Sequence, residues 1–264
     1  MSADASRNTI GRPQPVHLVG AGPGDPGLLT VRAAHLLTVC DAVFHDELVN
    51  SAVLDLAPTA ERWPVGRRAG QGGRDPVDTA RRMAALARQG QRVVRLKGGD
   101  PYLFGRGAEE AAALLDLGIG FEVVPGVSSA FAAPGAAGIP LTHRDLASSV
   151  TILTGHAGVA ADPERWRALA TGADTLVVMM GGRRLAEISR ALVDAGRPAS
   201  TPAAVVVAAT TAQQRHLVGT LDTIAADARR QGLGTPAVLV VGEVVGLAET
   251  LLGAALPALV SAAG

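Results

Sequence analysis

Short apolar runs alternate with amphipathic stretches along almost the whole chain. Residues 16–19 form an apolar run, followed by a glycine-rich turn and a helical pattern over 28–39. Apolar runs at 42–45, 92–96 and 121–124 predict further strands, and residues 76–88 and 108–117 predict helices between them. Pro76 is acceptable in the first turn of its helix because it lacks only an N–H that would have no partner there. Residues 128–137 are small and apolar, a pattern suited to a helix packed close against a neighbour. After Arg144 the alternation restarts, with strand patterns at 150–153, 176–180, 204–207 and 238–241. Helical patterns at 163–170, 185–195 and 221–230 separate them, and 216–218 adds a short antiparallel strand. Strands alternating with helices predict α/β units. The expected fold is two α/β domains with mixed, largely parallel sheets. The polar stretch 138–149 is the expected hinge. The predicted limits are an N-terminal arm at 1–15, domains at 16–142 and 143–250, and a tail at 251–264.

Composition narrows the function classes. The 264 residues are 48 % hydrophobic, 18 % charged and formally neutral. Neutrality removes the general attraction that non-specific DNA binding needs. An aromatic share of 3 % argues against stacking on many bases. Of 24 basic residues, all are arginine except Lys97. The chain is therefore rich in permanently charged, two-pronged anion clamps and almost without lysine chemistry. The lone cysteine, Cys40, excludes an internal disulfide framework and a multi-cysteine zinc site, so no metal is expected. It lies in an apolar helical pattern, where burial is the default. The first fifteen residues lack the apolar core of a secretory signal. The apolar tail is interrupted by Glu249, Gly253 and Pro257, unlike a span of about 20 apolar residues. A cytoplasmic protein without membrane or nucleic-acid partners is expected.

Three predicted strand ends carry polar or glycine-rich loops. The first reads Gly20-Ala21-Gly22-Pro23-Gly24-Asp25-Pro26. It evokes a dinucleotide-binding loop, but Pro23 and Pro26 remove N–H groups that a phosphate cradle would use. A structural tight turn uses the same residues. The second, Lys97-Gly98-Gly99-Asp100-Pro101, offers close backbone approach and a carboxylate for hydroxyl or ammonium groups. Arg106, Glu109 and Glu110 follow it, the glutamates being equally compatible with a solvated surface. The third, Pro125-Gly126-Val127-Ser128-Ser129, places two hydroxyls at a helix start, where Ser128 could equally be an N-cap. Ligands bind at this edge of open parallel sheets, so three such loops favour a cleft.

The runs GAGPGDPGLLTVRA (20–33), RLKGGDPYLFGRGAEE (95–110), VPGVSSA (124–130) and AGIPLTHRDLASSVTILTGH (137–156) resemble the tetrapyrrole methylases over about residues 15–247. Within that family the likeness is greatest to the branch that acts on uroporphyrinogen III. The resemblance implies a homodimer of two α/β domains with an active-site cleft between them, using S-adenosyl-L-methionine and releasing S-adenosyl-L-homocysteine. Methylation at C2 and C7 would give precorrin-2, on the way to sirohaem and cobalamin, in a monofunctional enzyme. Carried across, it implies donor contacts at Pro23, Gly98, Gly99, Asp100, Leu103, Ser128, Ser129, Met180, Ala209 and Ala237. It implies catalytic roles for Asp46, Arg106 and Glu109, with Asp46 as proton acceptor. Arg67, Arg106 and Arg144 would bind the substrate. Arg67 stands in Val65-Gly66-Arg67-Arg68-Ala69-Gly70, where the family has a proton-donating lysine, and arginine does not deliver a proton near neutral pH. The competing expectations are methylation of a later corrinoid such as precorrin-4, a nicotinamide-binding oxidoreductase, and a non-catalytic regulatory nucleotide-binding module.

Overall fold

The structure, a computed structural model, describes residues 13–65, 75–156 and 162–254. The chain divides into two compact units, Met1–Ser128 and Ser129–Gly264.

The first unit is built on β1 (Val16–Gly20), β2 (Ala42–His45), β3 (Glu61–Pro64), β4 (Val93–Lys97) and β5 (Phe121–Val124). They lie in the order β3-β2-β4-β1-β5, and every neighbouring pair is parallel. Helices α1 (Val31–Val39), α2 (Ser51–Leu54), α3 (Pro76–Arg88) and α4 (Gly107–Asp116) supply the connections. A parallel sheet buries both faces, and two apolar layers are present. Val19, Val43, Val94 and Leu96 pack with Leu36, Leu37 and Val53 of α1 and α2. Leu18, Phe44 and Val93 pack with Met83, Ala84 and Leu114 of α3 and α4. Alternation along each strand sends successive side chains into opposite layers.

Helix starts follow local chemistry. Thr30 Oγ1 accepts from Ala33 N at 3.1 Å to open α1, and Asp75 Oδ1 accepts from Val77 N at 3.0 Å to open α3. Each satisfies an orphan amide of a first turn. β3 lies outside the sequence expectation because Glu-Arg-Trp-Pro lacks an apolar run. Its place at the sheet edge explains both the polarity and Pro64, and Trp63 stacks on Phe44 with ring centroids 5.4 Å apart.

The second unit contains β6 (Val150–Thr154), β7 (Thr175–Met179), β8 (Pro202–Val207), β9 (Arg215–Thr220) and β10 (Ala237–Val241), in the order β6-β7-β10-β8-β9. Only β6 and β7 pair in parallel; β10 runs antiparallel to β7 and β8, and β8 to β9. The sheet is mixed because β8 and β9 are joined by a short connection, which suffices only for antiparallel neighbours. The apolar stripes of α6 (Pro163–Gly172), α7 (Leu185–Asp194) and α8 (Ile224–Arg230) cover it through Trp166, Ile188, Leu192 and Ile224. Helix α5 (Ser129–Ala136) packs on β7, β8 and β10. Residues 129–142, expected in the first domain, thus start in the second unit. The last described helix is α9 (Ala248–Ala254). Among the described residues, no helix is long and apolar enough to cross a membrane.

Candidate active site

In the first sheet the chain leaves β1 toward β2 on one side and leaves β4 toward β5 on the other. The carboxyl ends of β1 and β4 are therefore a topological switch point, the edge where ligands bind in open α/β sheets. The loop after β1 and the loop after β4 are tied by a two-residue bridge. Gly99 N donates to Gly22 O at 2.8 Å and Gly22 N to Gly99 O at 3.2 Å. Asp100 fastens the same loop to the end of β5, accepting from Tyr102 N at 2.8 Å and from Gly126 N at 3.1 Å. Each oxygen keeps a further acceptor site.

Glycine is obligatory in this knot. A Cβ on Gly20 would lie 2.5 Å from Gly126 Cα, and one on Gly126 would lie 2.3 Å from Gly99 O. Gly98 differs: a Cβ there would meet nothing within 4 Å, so its exposed backbone borders open space. A ligand could approach that backbone closely. Pro23, partly exposed, sits in the adjoining loop. After it comes a 3-10 turn, Pro26–Leu28, and α1 begins only at Val31. The helix N-terminus that cradles a dinucleotide's pyrophosphate is thus displaced from the glycines, which disfavours the nicotinamide alternative.

Asp46 follows β2 at the same edge. Its Oδ1 accepts from Arg95 at 2.5 Å, and its Oδ2 faces Gly98 N at 3.3 Å. Beneath it lies a buried ionic group in the α3–α4 layer. Arg95 Nε donates to Glu110 Oε1 at 2.9 Å and Lys97 Nζ to Glu110 Oε2 at 3.0 Å. Arg95 and Glu110 are each 4 % exposed and Lys97 2 %. Burial opposes the Arg95 charge, yet the carboxylates of Asp46 and Glu110 outweigh it and hold its pKa above the ordinary value. Glu110 is therefore a buried charge partner, whereas Glu109 stays on the surface. Glu109 pairs with Arg106 at 3.3 Å. Its own backbone amide at the start of α4, with help from Arg106, holds its carboxyl below the usual range. That makes Glu109 a weak base and a good partner for a cation.

Strained backbone marks the loops further. Among the described residues, the non-glycine residues with positive φ are Phe104, Arg106, Met180, Ala208 and Thr210. Such conformations concentrate at functional sites. Phe104 and Arg106, beside Leu103, lie between β4 and α4 in the first unit. Met180 follows β7, and Ala208 and Thr210 flank Ala209 beyond β8, all in the second unit. Met180 is 47 % exposed, whereas Ala209 and Ala237 are buried. Ser128 is buried at the end of the first unit and Ser129 begins α5. Arg144 lies on an exposed turn closed by His143 and Ala147, whose amides and carbonyls exchange bonds of 2.9 and 3.0 Å. Arg67 falls outside the described residues.

Pro23, Asp46, Gly98, Gly99, Asp100, Leu103, Arg106 and Glu109 thus share the carboxyl edge of the first sheet or the loop leading to α4. Ser129, Arg144, Met180, Ala209 and Ala237 belong to the second unit. Arg95, which holds Asp46, lies outside the residues expected from the sequence. Its signal was present in Val93-Val94-Arg95-Leu96-Lys97, where two cations occupy alternate positions of a strand buried on both faces.

The fold and edge define the class: an α/β protein whose candidate site lies at a topological switch point. The family profile of the tetrapyrrole (corrin/porphyrin) methylases matches residues 15–225, and the chain belongs to that family. It is 50 % identical over 237 residues to a siroheme synthase of Chromobacterium violaceum, covering 89 % of this chain and 50 % of that protein. A siroheme synthase of Yersinia enterocolitica is 49 % identical over 233 residues, 88 % of this chain and 49 % of the relative. The chain thus spans about half the length of the curated relatives it matches. Among solved structures, it resembles uroporphyrin-III C-methyltransferase of Thermus thermophilus, crystallised with S-adenosylhomocysteine. Identity is 40 %, coverage 88 % of this chain and 99 % of that one, and the TM-score 0.74. A cobalt-precorrin-4 methyltransferase is 29 % identical, covering 87 % and 95 % of the two chains, with a TM-score of 0.79.

Proposed function

We propose that this chain transfers methyl groups from S-adenosyl-L-methionine to C2 and C7 of uroporphyrinogen III, yielding precorrin-2 and S-adenosyl-L-homocysteine. The observation that carries this reading is the 40 % identity extending over 99 % of the Thermus thermophilus enzyme. The switch point and the exposed backbone at Gly98 support a ligand site at that edge.

We assign donor contacts to Pro23, Gly98, Gly99, Asp100, Leu103 and Ser128 in the first unit. In the second they fall to Ser129, Met180, Ala209 and Ala237. When bound, the donor supplies an electrophilic sulfonium methyl to an electron-rich pyrrole carbon. The chain's own task is then to align the two reactants and keep water out. Arg106, on its strained turn and steadied by Glu109, holds carboxylates of an eight-carboxylate macrocycle, as do Arg67 and Arg144. Permanent, bidentate cations suit that task. Asp46 accepts the proton that the methylated ring releases. Two α/β domains, in a cytoplasmic homodimer, complete the proposal.

The closer superposition on the cobalt-precorrin-4 enzyme favours a later corrinoid as the second reading. Incubation with methyl-labelled donor and uroporphyrinogen III separates them: the expected product carries two labels per macrocycle. Turnover of a precorrin-4 substrate in place of uroporphyrinogen would overturn the first reading. Stabilisation by NAD(P) without stabilisation by S-adenosylhomocysteine would overturn both.

A further inference from the structure

On the β4 face packed against α3 and α4, the apolar alternation stops at Arg95 and Lys97, while Leu18 and Phe44 stand opposite Arg95 in register. Two buried cations and Glu110 in such a layer need a reason other than stability. A buried ionic group generally stabilises no better than apolar residues of the same volume.

The bonding pattern supplies that reason. All three Arg95 nitrogens are committed. Nε meets Glu110 at 2.9 Å, Nη1 meets the Leu96 carbonyl at 3.0 Å, and Nη2 meets Asp46 at 2.5 Å. A planar guanidinium fixed at three points has one orientation. Asp46 Oδ1 is therefore pinned, and Oδ2 is turned to the loop edge beside Gly98 N. Lys97 balances the second oxygen of Glu110, so two cations and two anions close the group. The Lys97 stem also runs beneath the loop: its Cε would lie 3.3 Å from a Cβ on Gly105.

We propose that Arg95, oriented by Glu110 and balanced by Lys97, is a positioning residue that fixes the Asp46 carboxylate for the proton transfer following methylation. This rests on the reading of Asp46 as proton acceptor. It adds that the acceptor works only when held by a charged group it does not share with the substrate.

Replacing the three buried charges together (Arg95→Met, Lys97→Met, Glu110→Leu) removes the hold and leaves only Asp46, whose side chain is 30 % exposed and reaches solvent. Circular dichroism reports folding, titration with S-adenosylhomocysteine reports the donor site, and initial rates with uroporphyrinogen III separate kcat from KM. The expected result is a folded variant with donor affinity and KM within about threefold of the parent and kcat reduced 100-fold or more. Arg95→Lys should recover only part of that loss. A folded triple variant with kcat within threefold of the parent overturns the proposal. Should the triple variant not fold, the isosteric Glu110→Gln is read the same way: a tenfold loss in kcat at constant KM supports the proposal, and unchanged kcat overturns it. The parent and Asp46→Asn are assayed alongside. Lack of turnover by the parent, or full turnover by Asp46→Asn, identifies failure of the underlying functional reading, and the proposal falls with it.

Discussion

Lys97 Nζ lies 3.0 Å from Glu110 Oε2, and both side chains are almost sealed from solvent. The only lysine of the chain is therefore an internal counter-charge. An amine-reactive ester applied to the native protein should leave Lys97 unmodified, with reaction confined to the α-amino group. In denaturant Lys97 should label fully. Peptide mass mapping reads both states, and native modification of Lys97 would contradict the burial. Lys97→Ala removes one of two partners of a buried carboxylate and should destabilise by about 3 kcal/mol. For a chain of this size that corresponds to a melting temperature lower by roughly 6–12 °C.

The glycines at the switch point divide into two kinds, and substitution should separate them. Gly126→Ala drives a Cβ to 2.3 Å from Gly99 O, which only backbone movement can relieve. A loss of about 3 kcal/mol is expected, read by chemical denaturation. Gly98→Ala meets nothing within 4 Å, so stability should change by less than about 0.5 kcal/mol. Its affinity for S-adenosylhomocysteine should nevertheless fall at least about tenfold, a difference of 1.4 kcal/mol. Unaltered binding by Gly98→Ala would remove that backbone from the donor site.

Asp174 links the starts of β6 and β7. Its Oδ2 accepts from Ser148 N at 2.8 Å and Oγ at 3.1 Å, and from Ser149 N and Oγ at 2.9 Å. The Ser148 amide, followed by the two hydroxyls and the Ser149 amide, holds its carboxyl below the ordinary value of 3.8. A depressed folded-state pKa stabilises above the unfolded value, and this contribution disappears as pH falls through the folded value. Asp174→Asn should therefore melt below the parent at pH 7. The gap should narrow as pH drops below 3.8, as followed by calorimetry across pH. A gap independent of pH would exclude the ionised carboxylate as its source.

Cys40 is buried, with Sγ donating to the Leu37 carbonyl at 3.3 Å. Burial pushes its thiol up to about 11, so almost no thiolate exists at pH 7.5. Iodoacetamide should not alkylate the native protein within an hour but should react stoichiometrically in denaturant. Rapid native alkylation would show that the α1 end opens.

Much of this was legible in the chain because strong periodic patterns fix strands. Ala42–His45, Pro76–Arg88 and Phe121–Val124 fall where the apolar pattern puts them. Glu61–Pro64 was not legible, since an edge strand needs no apolar run. The antiparallel course of β10 was not either, because periodicity carries no direction. At the site, glycine and acidic motifs located the loops after β1, β4 and β5. The pairing of Arg95 with Asp46 depends on two residues 49 positions apart, which only the register of β2 against β4 brings together. The left-handed turns at Arg106 and Met180 were likewise invisible, since neither residue favours that conformation.

That strain at Arg106 gives a last test, in which stability and function should part. Arg106 has φ of 58°, a region costing a side-chain-bearing residue roughly 1–2 kcal/mol. Glycine adopts it freely. Its guanidinium is exposed and, among the described residues, pairs at the surface with Glu109, a contact worth little. Arg106→Gly should therefore keep or raise the melting temperature. If Arg106 clamps a substrate carboxylate, a charge-assisted bond of about 1.5–3 kcal/mol is lost, and kcat/KM for uroporphyrinogen III should fall roughly 10- to 150-fold. S-adenosylhomocysteine binding should persist. Arg106→Lys keeps the charge but loses the fork, and should fall between the two. Full activity in Arg106→Gly would show that the strained turn holds Arg106 for some purpose other than the macrocycle.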